Sequence, residues 1–163
     1  MSAPADLLRP GLLVGTRIAV TAVGDGDVAQ SCRELLAGLG AQVEEPGDDP
    51  QALVVDAAGA AGPALGDSLS EVWAAVHAYA GRLIESERGG RILLVAPPDE
   101  AAAAALENLA RTLSIEWARR AITVVAIARG NETSAADVAT LVAYLCSAAG
   151  EYFSGCLLDL RSV

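Results

Sequence analysis

Few side chains in this sequence could transfer a proton or form a covalent bond to a substrate. All eleven basic residues are arginine, so mechanisms that need a lysine amine, as a Schiff base, a proton relay or a phosphate-binding cation, are excluded. The single histidine, His77, follows the apolar Val76 in a predicted helix. Because no serine or cysteine partner for it can be identified, we expect a partly exposed structural role rather than proton transfer. The three cysteines, Cys32, Cys146 and Cys156, are widely spaced, which predicts reduced core residues and neither a disulfide framework nor a zinc site.

The charged residues allow only a weak ligand hypothesis. Asp99 and Arg129 follow two neighbouring predicted strands, at the strand ends where an open α/β sheet binds ligands. They could form an anion or acyl-thioester site, but a helix-start aspartate and a surface ion pair are the simpler expectation. Asp48 and Asp49 indicate a solvated turn, and no metal site is predicted. The net charge of −10 argues against a nucleic-acid groove, which needs clustered cations.

The elements that would position these residues alternate along the chain. Short β-branched and apolar runs predict strands, whereas helical spacing of apolar residues predicts helices. Gly40 is expected to end the first helix, Ser68 with Glu71 to begin the second as a capping box, and Ser134 with Asp137 to begin the last. The predicted strands are 17–22, 41–45, 53–57, 91–96, 122–128 and 156–160, and the predicted helices are 27–39, 68–87, 99–120 and one starting at 134.

This order predicts a single domain over residues 1–163 with a Rossmann-like, three-layer α/β/α fold. A mostly parallel sheet of about six strands is expected, with helices on both faces. Only a few residues join the second strand to the third, whereas a parallel crossover normally needs a dozen or more. Either a helix and a strand have been deleted here, or residues 41–45 form an irregular edge.

Cytoplasmic localisation is expected from the sequence. No apolar stretch reaches the length of about 18 residues that a membrane helix needs. Residues 1–9 lack the basic start and apolar run of a signal peptide.

Several segments resemble the short-chain dehydrogenase/reductase family, especially its β-ketoacyl-ACP reductase-like members. The closest resemblance is LENLARTLSIEWARRAITVVAIARG, Leu106 to Gly130, which is similar to the helix and strand after the family's active site. The segment RIAVTAVGDGDVAQSCRELLAGLGAQV resembles the first strand, turn, helix and second strand, LVVDAAG resembles the LVNNAG turn, and AAGEYFSGCLLDL resembles the last strand. The resemblance implies the Rossmann fold and a chain shortened relative to a full family member.

The resemblance also shows which catalytic residues are missing. In the family, a Tyr-x-x-x-Lys pair begins the long helix, and these two positions correspond to Asp99 and Ala103 here. An aspartate that ionises near pH 4 cannot replace a tyrosine acid near pH 7 unless it is strongly perturbed. The family's serine should follow the strand at 91–96, but Ala96 runs through Pro97 and Pro98 directly into Asp99. No catalytic residue is therefore expected.

The family's cofactor turn, Thr-Gly-x-x-x-Gly-x-Gly, is equally altered. Its glycines bring backbone N–H groups to the pyrophosphate. Here the turn reads TAVGDGDV over residues 21–28, so that Gly26 alone of the motif glycines is kept and two aspartates lie where phosphates would bind. The residual turn consists of Gly24, Gly26 and Gly59, and Arg129-Gly130 replaces the Pro-Gly that lines the nicotinamide. We expect no cofactor, since binding of NAD(P) is disfavoured by charge and by shape.

The helices at 68–87 and 99–120 correspond to those that form a four-helix interface between subunits in the family. Small residues such as those at 101–105 allow close helix approach, although a GC-rich coding bias would also produce alanines. The predicted interface residues are Trp73, Ala101, Ala105 and Trp117.

Three functions follow from these observations. The first is a non-catalytic subunit that pairs with an active short-chain dehydrogenase/reductase to stabilise or regulate it. The second is a homodimeric binding protein that keeps a cleft for an acyl thioester or a nucleotide. The third is an oxidoreductase of this family with residual or rebuilt activity. The first is preferred, so the chain is expected not to be an enzyme. Its partner would be a homologous subunit or a second copy, and neither nucleic acid nor membrane.

Overall fold

The computed structural model describes residues 8–47 and 50–162. The strands are β1 (Arg17–Ala22), β2 (Gln42–Glu44), β3 (Ala52–Asp56), β4 (Gly90–Ala96), β5 (Ile122–Arg129) and β6 (Cys156–Leu160), and the helices are α1 (Val28–Gly38), α2 (Leu65–Glu85), α3 (Glu100–Glu116) and α4 (Ala135–Cys146). Short 3₁₀ turns occupy Gly62–Ala64, Ala118–Arg120 and Ala148–Tyr152. The described strands form one six-stranded sheet in the order β2-β1-β3-β4-β5-β6. Every neighbouring pair is parallel. The predicted Rossmann-like fold is therefore confirmed.

Alternation along the strands divides the core into two layers. Leu53 and Val55 of β3 face the layer covered by α2 and α3, whereas Val54 faces the layer covered by α1 and α4. All five residues of β3 are buried, which explains why its sequence is a continuous apolar run rather than an alternating one. No helix of the described residues is long and apolar enough to cross a membrane.

The short link between β2 and β3 is possible because β2 has only three residues. Gln42 to Glu44 pair with Arg17 to Ala19 of β1, and β3 begins opposite Ile18 on the other side of that strand. The end of β2 and the start of β3 therefore lie at nearly the same height in the sheet. The link has to cross only two strand spacings, about 10 Å. Of the two alternatives, the irregular edge is wrong, because residues Gln42–Glu44 form a regular but very short edge strand; the deletion of a helix and a strand stays a prediction.

Helix boundaries confirm some sequence predictions and correct others. Gly40 follows α1 with a φ of +94°, as expected of a glycine after a helix end. Asp99 accepts a hydrogen bond from the Ala102 N–H at 2.9 Å, and Ser134 accepts one from the Asp137 N–H at 3.1 Å, so both begin helices. The long helix ends at Glu116 rather than at residue 120.

The predicted capping box at Ser68 is wrong. Helix α2 begins at Leu65, directly after a 3₁₀ turn that has a proline in its first turn. A proline fixes φ near the helical value, which explains the earlier start. The Ser68 hydroxyl instead donates to the Gly59 carbonyl at 2.9 Å. It therefore ties α2 to the turn after β3.

The buried Tyr79 hydroxyl fixes the link before β3 by donating to the Pro50 carbonyl at 3.0 Å. Replacing Tyr79 with Phe should lower the free energy of unfolding by about 1–2 kcal/mol, because the carbonyl loses its buried donor. Urea denaturation measures this change. The matched control is Tyr152→Phe, since Tyr152 is 84% exposed and its substitution should leave stability unchanged. Equal effects of the two substitutions would contradict the anchoring role of Tyr79.

Candidate functional site

The turns that follow β1, β3, β4 and β5 meet at the carboxyl edge of the sheet, because these strands are parallel. They bring together the residues that the sequence singled out. The β1 turn carries Gly24 and Gly26, the β3 turn carries Gly59, Asp99 follows β4, and Arg129 ends β5.

The three glycines of the residual cofactor turn pack against the protein itself. The Val23 N–H donates to the Asp56 carbonyl at 2.8 Å, and the Gly59 N–H donates to the Val23 carbonyl at 2.7 Å. A Cβ on Gly24, whose φ is +82°, would lie 2.6 Å from Gly59 Cα. A Cβ on Gly26 would lie 2.7 Å from Asp56 Oδ2. These glycines are therefore required for the close contact of two turns, whatever ligand is or is not bound.

The carboxylate of Asp56 lies at the N-terminus of helix α1. Asp56 is 2% exposed, and its Oδ2 accepts a hydrogen bond from the Ala29 N–H at 3.0 Å. Asp27, at the N-cap position of α1, makes no capping bond with its own side chain. The first turn of a helix leaves unsatisfied N–H groups and a partial positive charge. Here the Asp56 carboxylate, which is 27 residues farther along the chain than Ala29, accepts a hydrogen bond from one of these N–H groups.

Burial is the largest influence on the Asp56 carboxyl group, and it raises the pKa above its ordinary value of 3.8. The Ala29 N–H lowers the pKa, the negative charge of Asp27 raises it, and Arg129 lowers it. Since the net direction is upward, the cost of burying the charge exceeds the gain from its donors.

An ion pair joins Arg129 to Asp27 across the same edge. Arg129 Nη1 donates to Asp27 Oδ1 at 2.5 Å, and Nη2 donates to Oδ2 at 3.2 Å. Arg129 Nε also donates to the Thr133 carbonyl at 3.0 Å. The hydrogen bond from Arg129 lowers the pKa of Asp27. This two-pronged contact links the end of β5 to the turn after β1, across the position where the order of the strands changes direction.

The positions that correspond to the family's tyrosine and lysine have structural contacts. The Asp99 carboxylate caps α3, and Ala103 is 1% exposed within the core. A lysine at position 103 would place an ammonium among apolar side chains, which costs several kcal/mol unless it is paired. The expected ion pair of Arg129 is formed with Asp27 and not with Asp99.

The other residues with chemical potential lie elsewhere. His77 stacks with Trp73 at 5.2 Å between ring centroids, on helix α2. Cys32 and Cys146 are buried. Burial raises the pKa of the Cys146 thiol to about 12 and raises that of Cys32 still further. Neither thiol is a ready nucleophile. Within residues 8–47 and 50–162, no group of three or more His, Cys, Asp or Glu residues could hold a metal. Asp48 and Asp49 lie outside the described residues.

The four predicted interface residues differ in how much of their surface is accessible. Trp73 is 42% exposed and Ala101 is exposed, whereas Ala105 is half-buried. Trp117 is 6% exposed and belongs to the core cluster under α2 and α3, so little of its surface can contact a partner. Trp73 and Trp117 both line a groove of about 300 Å³ between α2 and the end of α3.

Comparison with known proteins identifies the fold. No protein-family model matches the sequence, and no curated protein has a significant sequence match. Among solved structures, a short-chain dehydrogenase from Mycobacterium smegmatis superposes with a TM-score of 0.74 and 18% identity, covering 93% of this chain and 94% of that one. A hydroxysteroid dehydrogenase from Escherichia coli gives 0.73 and 15%, covering 93% and 97%. This chain has the short-chain dehydrogenase fold. A structure from Brucella melitensis named as a ribose-5-phosphate isomerase gives 0.71 and 16%, covering 93% of each chain, and likeness at this level does not determine activity.

Sequence reasoning missed the capping of α1 by Asp56. Asp56 lies in the LVVDAAG segment, where the resembled family has asparagine, and its hydrogen-bond partner Ala29 lies in another element. The local pattern indicates a different cap, because Asp27 followed three residues later by Gln30 is typical of a helix start that is capped by its own side chains. No local pattern indicates which distant side chain reaches the helix.

Two substitutions at this site should have opposite pH dependences. The raised pKa of Asp56 means that its contribution to stability falls as pH rises from 3.8 through the folded-state value. Asp56→Asn keeps an acceptor for Ala29 without titrating, so the stability of this variant relative to the wild type should increase with pH. The pKa of Asp27 is lowered, so its contribution is present above 3.8 and is lost as pH falls through the folded-state value. The free energy of unfolding of Asp27→Asn should therefore lie furthest below that of the wild type at neutral pH.

Urea denaturation of both variants and the wild type, from about pH 3 to about pH 8, measures these differences. Asp25→Asn, in the exposed part of the same turn, is the control for a general charge effect. If the stability of Asp56→Asn and that of Asp27→Asn, each relative to the wild type, changed in the same direction with pH, the assigned pKa directions of Asp56 and Asp27 would be contradicted.

Proposed function

We propose that this chain is a non-catalytic subunit with a short-chain dehydrogenase fold, which pairs with an active relative of the same fold to stabilise or regulate it. The observation that carries the proposal is the Asp56 carboxylate on the Ala29 N–H at the N-terminus of α1. In the family that the sequence resembles, the same helix end faces the pyrophosphate of the dinucleotide.

The carboxylates at the carboxyl edge of the sheet disfavour the binding of a dinucleotide. Asp56 and Asp27 are both held close to the start of α1, and Asp25 lies in the same turn. Like charges at about 4–6 Å repel by roughly 1 kcal/mol each even in water, and by more when they are partly buried. A bound pyrophosphate would have to displace the Asp56 carboxylate from its donor and to meet the Asp27 charge.

The Arg129–Asp27 ion pair also obstructs the crevice. It spans the crevice from the end of β5 to the turn after β1, where a dinucleotide lies in doubly wound sheets. Both groups would need to separate before a ligand entered. This contact supports a closed crevice as the resting arrangement of the site.

The outer surface of α2 and α3 supports pairing. Trp73 on α2 is 42% exposed and Ile115 on α3 is 80% exposed. The alanine run is divided, since Ala102 and Ala103 pack on the sheet whereas Ala101 and Ala104 face outward. Small exposed residues at the start of α3, together with large exposed apolar residues on α2 and at the end of α3, suit a helix–helix contact.

The proposal is tested by isolating the native complex from the source cells and identifying its components by mass. We expect one copy or more of this chain together with a short-chain dehydrogenase that has an intact Tyr-x-x-x-Lys pair. Reconstitution from the separately purified proteins should change the stability or the turnover of that enzyme. A pure homodimer would favour the alternative of a binding protein, and dehydrogenase turnover by this chain alone would favour residual or rebuilt activity.

The purified chain should show no binding of NADH or NADPH at near-millimolar concentration, because the start of α1 already has a carboxylate as its acceptor. Fluorescence and calorimetric titrations measure this. An intact short-chain dehydrogenase titrated in parallel is the positive control. A micromolar dissociation constant for this chain would contradict the expectation.

The predicted interface is tested by placing charge on its exposed residues. Trp73→Glu and Ala101→Glu should each dissociate the assembly, because burying a carboxylate in an apolar contact costs several kcal/mol. Light scattering should report a lower mass for both variants. Val14→Glu is the control, since Val14 is 72% exposed and precedes β1, away from both helices. Unchanged mass and unchanged thermal stability in both interface variants would show that this surface is not the contact.

A further inference from the structure

A second potential site lies at the amino edge of the sheet, opposite to the turns described above. A cavity of about 690 Å³ opens there, lined by the starts of β3, β4 and β5, by Thr16 before β1, and by the turn after α4. Its volume is within the range of small-molecule sites. The residues that the fold family uses for catalysis and cofactor all lie at the other edge, so this cavity is not part of that site.

Arg91, near the start of β4, is held in a fixed orientation in the wall of the cavity. Its Nη1 donates to the Leu145 carbonyl at 2.7 Å and to the Ser147 carbonyl at 2.5 Å. These carbonyls belong to the C-terminal end of α4, where a cation is favoured by the helix dipole. One nitrogen of the guanidinium therefore fixes the side chain to the protein.

The other guanidinium nitrogens of Arg91 are available to a ligand. The described residues provide no acceptor for Nε or Nη2, and neither atom is among the buried polar atoms without a partner. They are therefore accessible from solvent or from the cavity. A guanidinium presents its N–H groups in a plane that matches the two oxygens of a carboxylate or a phosphate.

Further donors line the same cavity. The Oε1 atom of Gln51 accepts from the Arg17 N–H, which leaves its amide nitrogen as a donor. The hydroxyls of Thr16 and Thr123 make no hydrogen bond within the described residues. A polar wall of this kind is suited to an acceptor-rich ligand.

The neighbouring surface is also cationic. A second cavity, of about 230 Å³, is lined by Arg88, Arg119, Arg120 and Glu87 and shares Gly89 and Ala121 with the first. In a chain with a net charge of −10, three arginines against one glutamate give this cavity a local excess of positive charge. Clefts with one sign of charge raise the local concentration of oppositely charged ligands.

We propose that the cavity at the amino edge binds a small organic anion, with its carboxylate or phosphate group on Arg91. Glu151 is exposed on the lining of the same cavity. Its carboxylate accepts hydrogen bonds and repels anions, so it disfavours ligands with a second negative charge and favours those with a hydroxyl or an amine at the far end. Tyr152, next to it, is 84% exposed and offers an aromatic surface to the body of the ligand.

The test is an NMR titration of the full ¹⁵N-labelled chain with phenyl phosphate, with benzoate, and with the neutral benzyl alcohol. We expect saturable shifts of the Gly89, Gly90 and Thr123 amides with at least one anion at a concentration of a few millimolar, and none with benzyl alcohol. Tighter binding of phenyl phosphate would identify a phosphate site, and tighter binding of benzoate a carboxylate site.

Two variants with opposite expected effects on anion affinity separate a loss of binding from a loss of folding. Arg91→Gln should weaken anion binding about tenfold or more, but it also removes a contact to the end of α4. Glu151→Gln changes only an exposed rim residue and should strengthen binding severalfold, because it removes a repulsive charge. Arg161→Gln, at the opposite edge, should have no effect.

The proposal is overturned if neither anion binds saturably up to about 20 mM, if the shifts map to the carboxyl edge, or if both Arg91→Gln and Glu151→Gln leave the affinity unchanged. This site is independent of α2 and α3, so its failure would not affect the proposed pairing.

Discussion

The contact between the Asp56 carboxylate and the start of α1 sets the arrangement of the whole carboxyl edge. It joins the end of β3 to the helix after β1. To reach Ala29, the carboxylate has to pass close to the β1 turn, and the lack of a side chain at Gly26 allows this. Two backbone hydrogen bonds between the same turns hold Gly24 against Gly59, and Asp27, in the first of these turns, pairs with Arg129. Contacts within the protein thus account for two glycines and one ion pair that would otherwise suggest a ligand site.

The parallel sheet also separates the charges of the molecule. All strand starts lie at one edge and all strand ends at the other, so residues before and after strands are distributed accordingly. Arg17, Arg88, Arg91, Arg119 and Arg120 lie before or at the start of strands, whereas Asp25, Asp27, Asp56 and Asp99 lie at or after strand ends. Of the arginines at the carboxyl edge, Arg129 pairs with Asp27 and Arg161 with Asp159. The amino edge is therefore richer in arginine than the rest of this acidic chain, with Glu87 and Glu151 among the arginines.

The sequence was sufficient to predict the order of elements and the fold, because these depend on local patterns. Continuous apolar runs marked the buried strands, and Ser134, Asp99 and Gly40 marked helix ends correctly. The predicted start of helix α2 was too late. The Ser68–Glu71 pair has the sequence of a capping box, but the helix starts earlier, directly after the proline turn. The burial of Trp117 follows from its helical spacing with Leu106 and Leu113, which competes with its assignment to the interface. The function of Asp56 could not be predicted in this way, because it depends on a residue that is distant in sequence and near only in the folded chain.

Under the proposed non-catalytic role, these contacts would take the place of those that a bound cofactor makes in an enzyme of this fold. In an enzyme of this fold, a dinucleotide supplies anions to the start of the first helix, and the site is complete only when it is bound. Here the chain supplies a carboxylate of its own, and an arginine partly balances the nearby Asp27 charge. All five residues of β3, Asp56 among them, are buried. Under that role, the start of α1 would need no bound cofactor as its acceptor. Selection would then act on the surfaces rather than on the crevice, and those surfaces are the exposed helices and the arginine-rich amino edge.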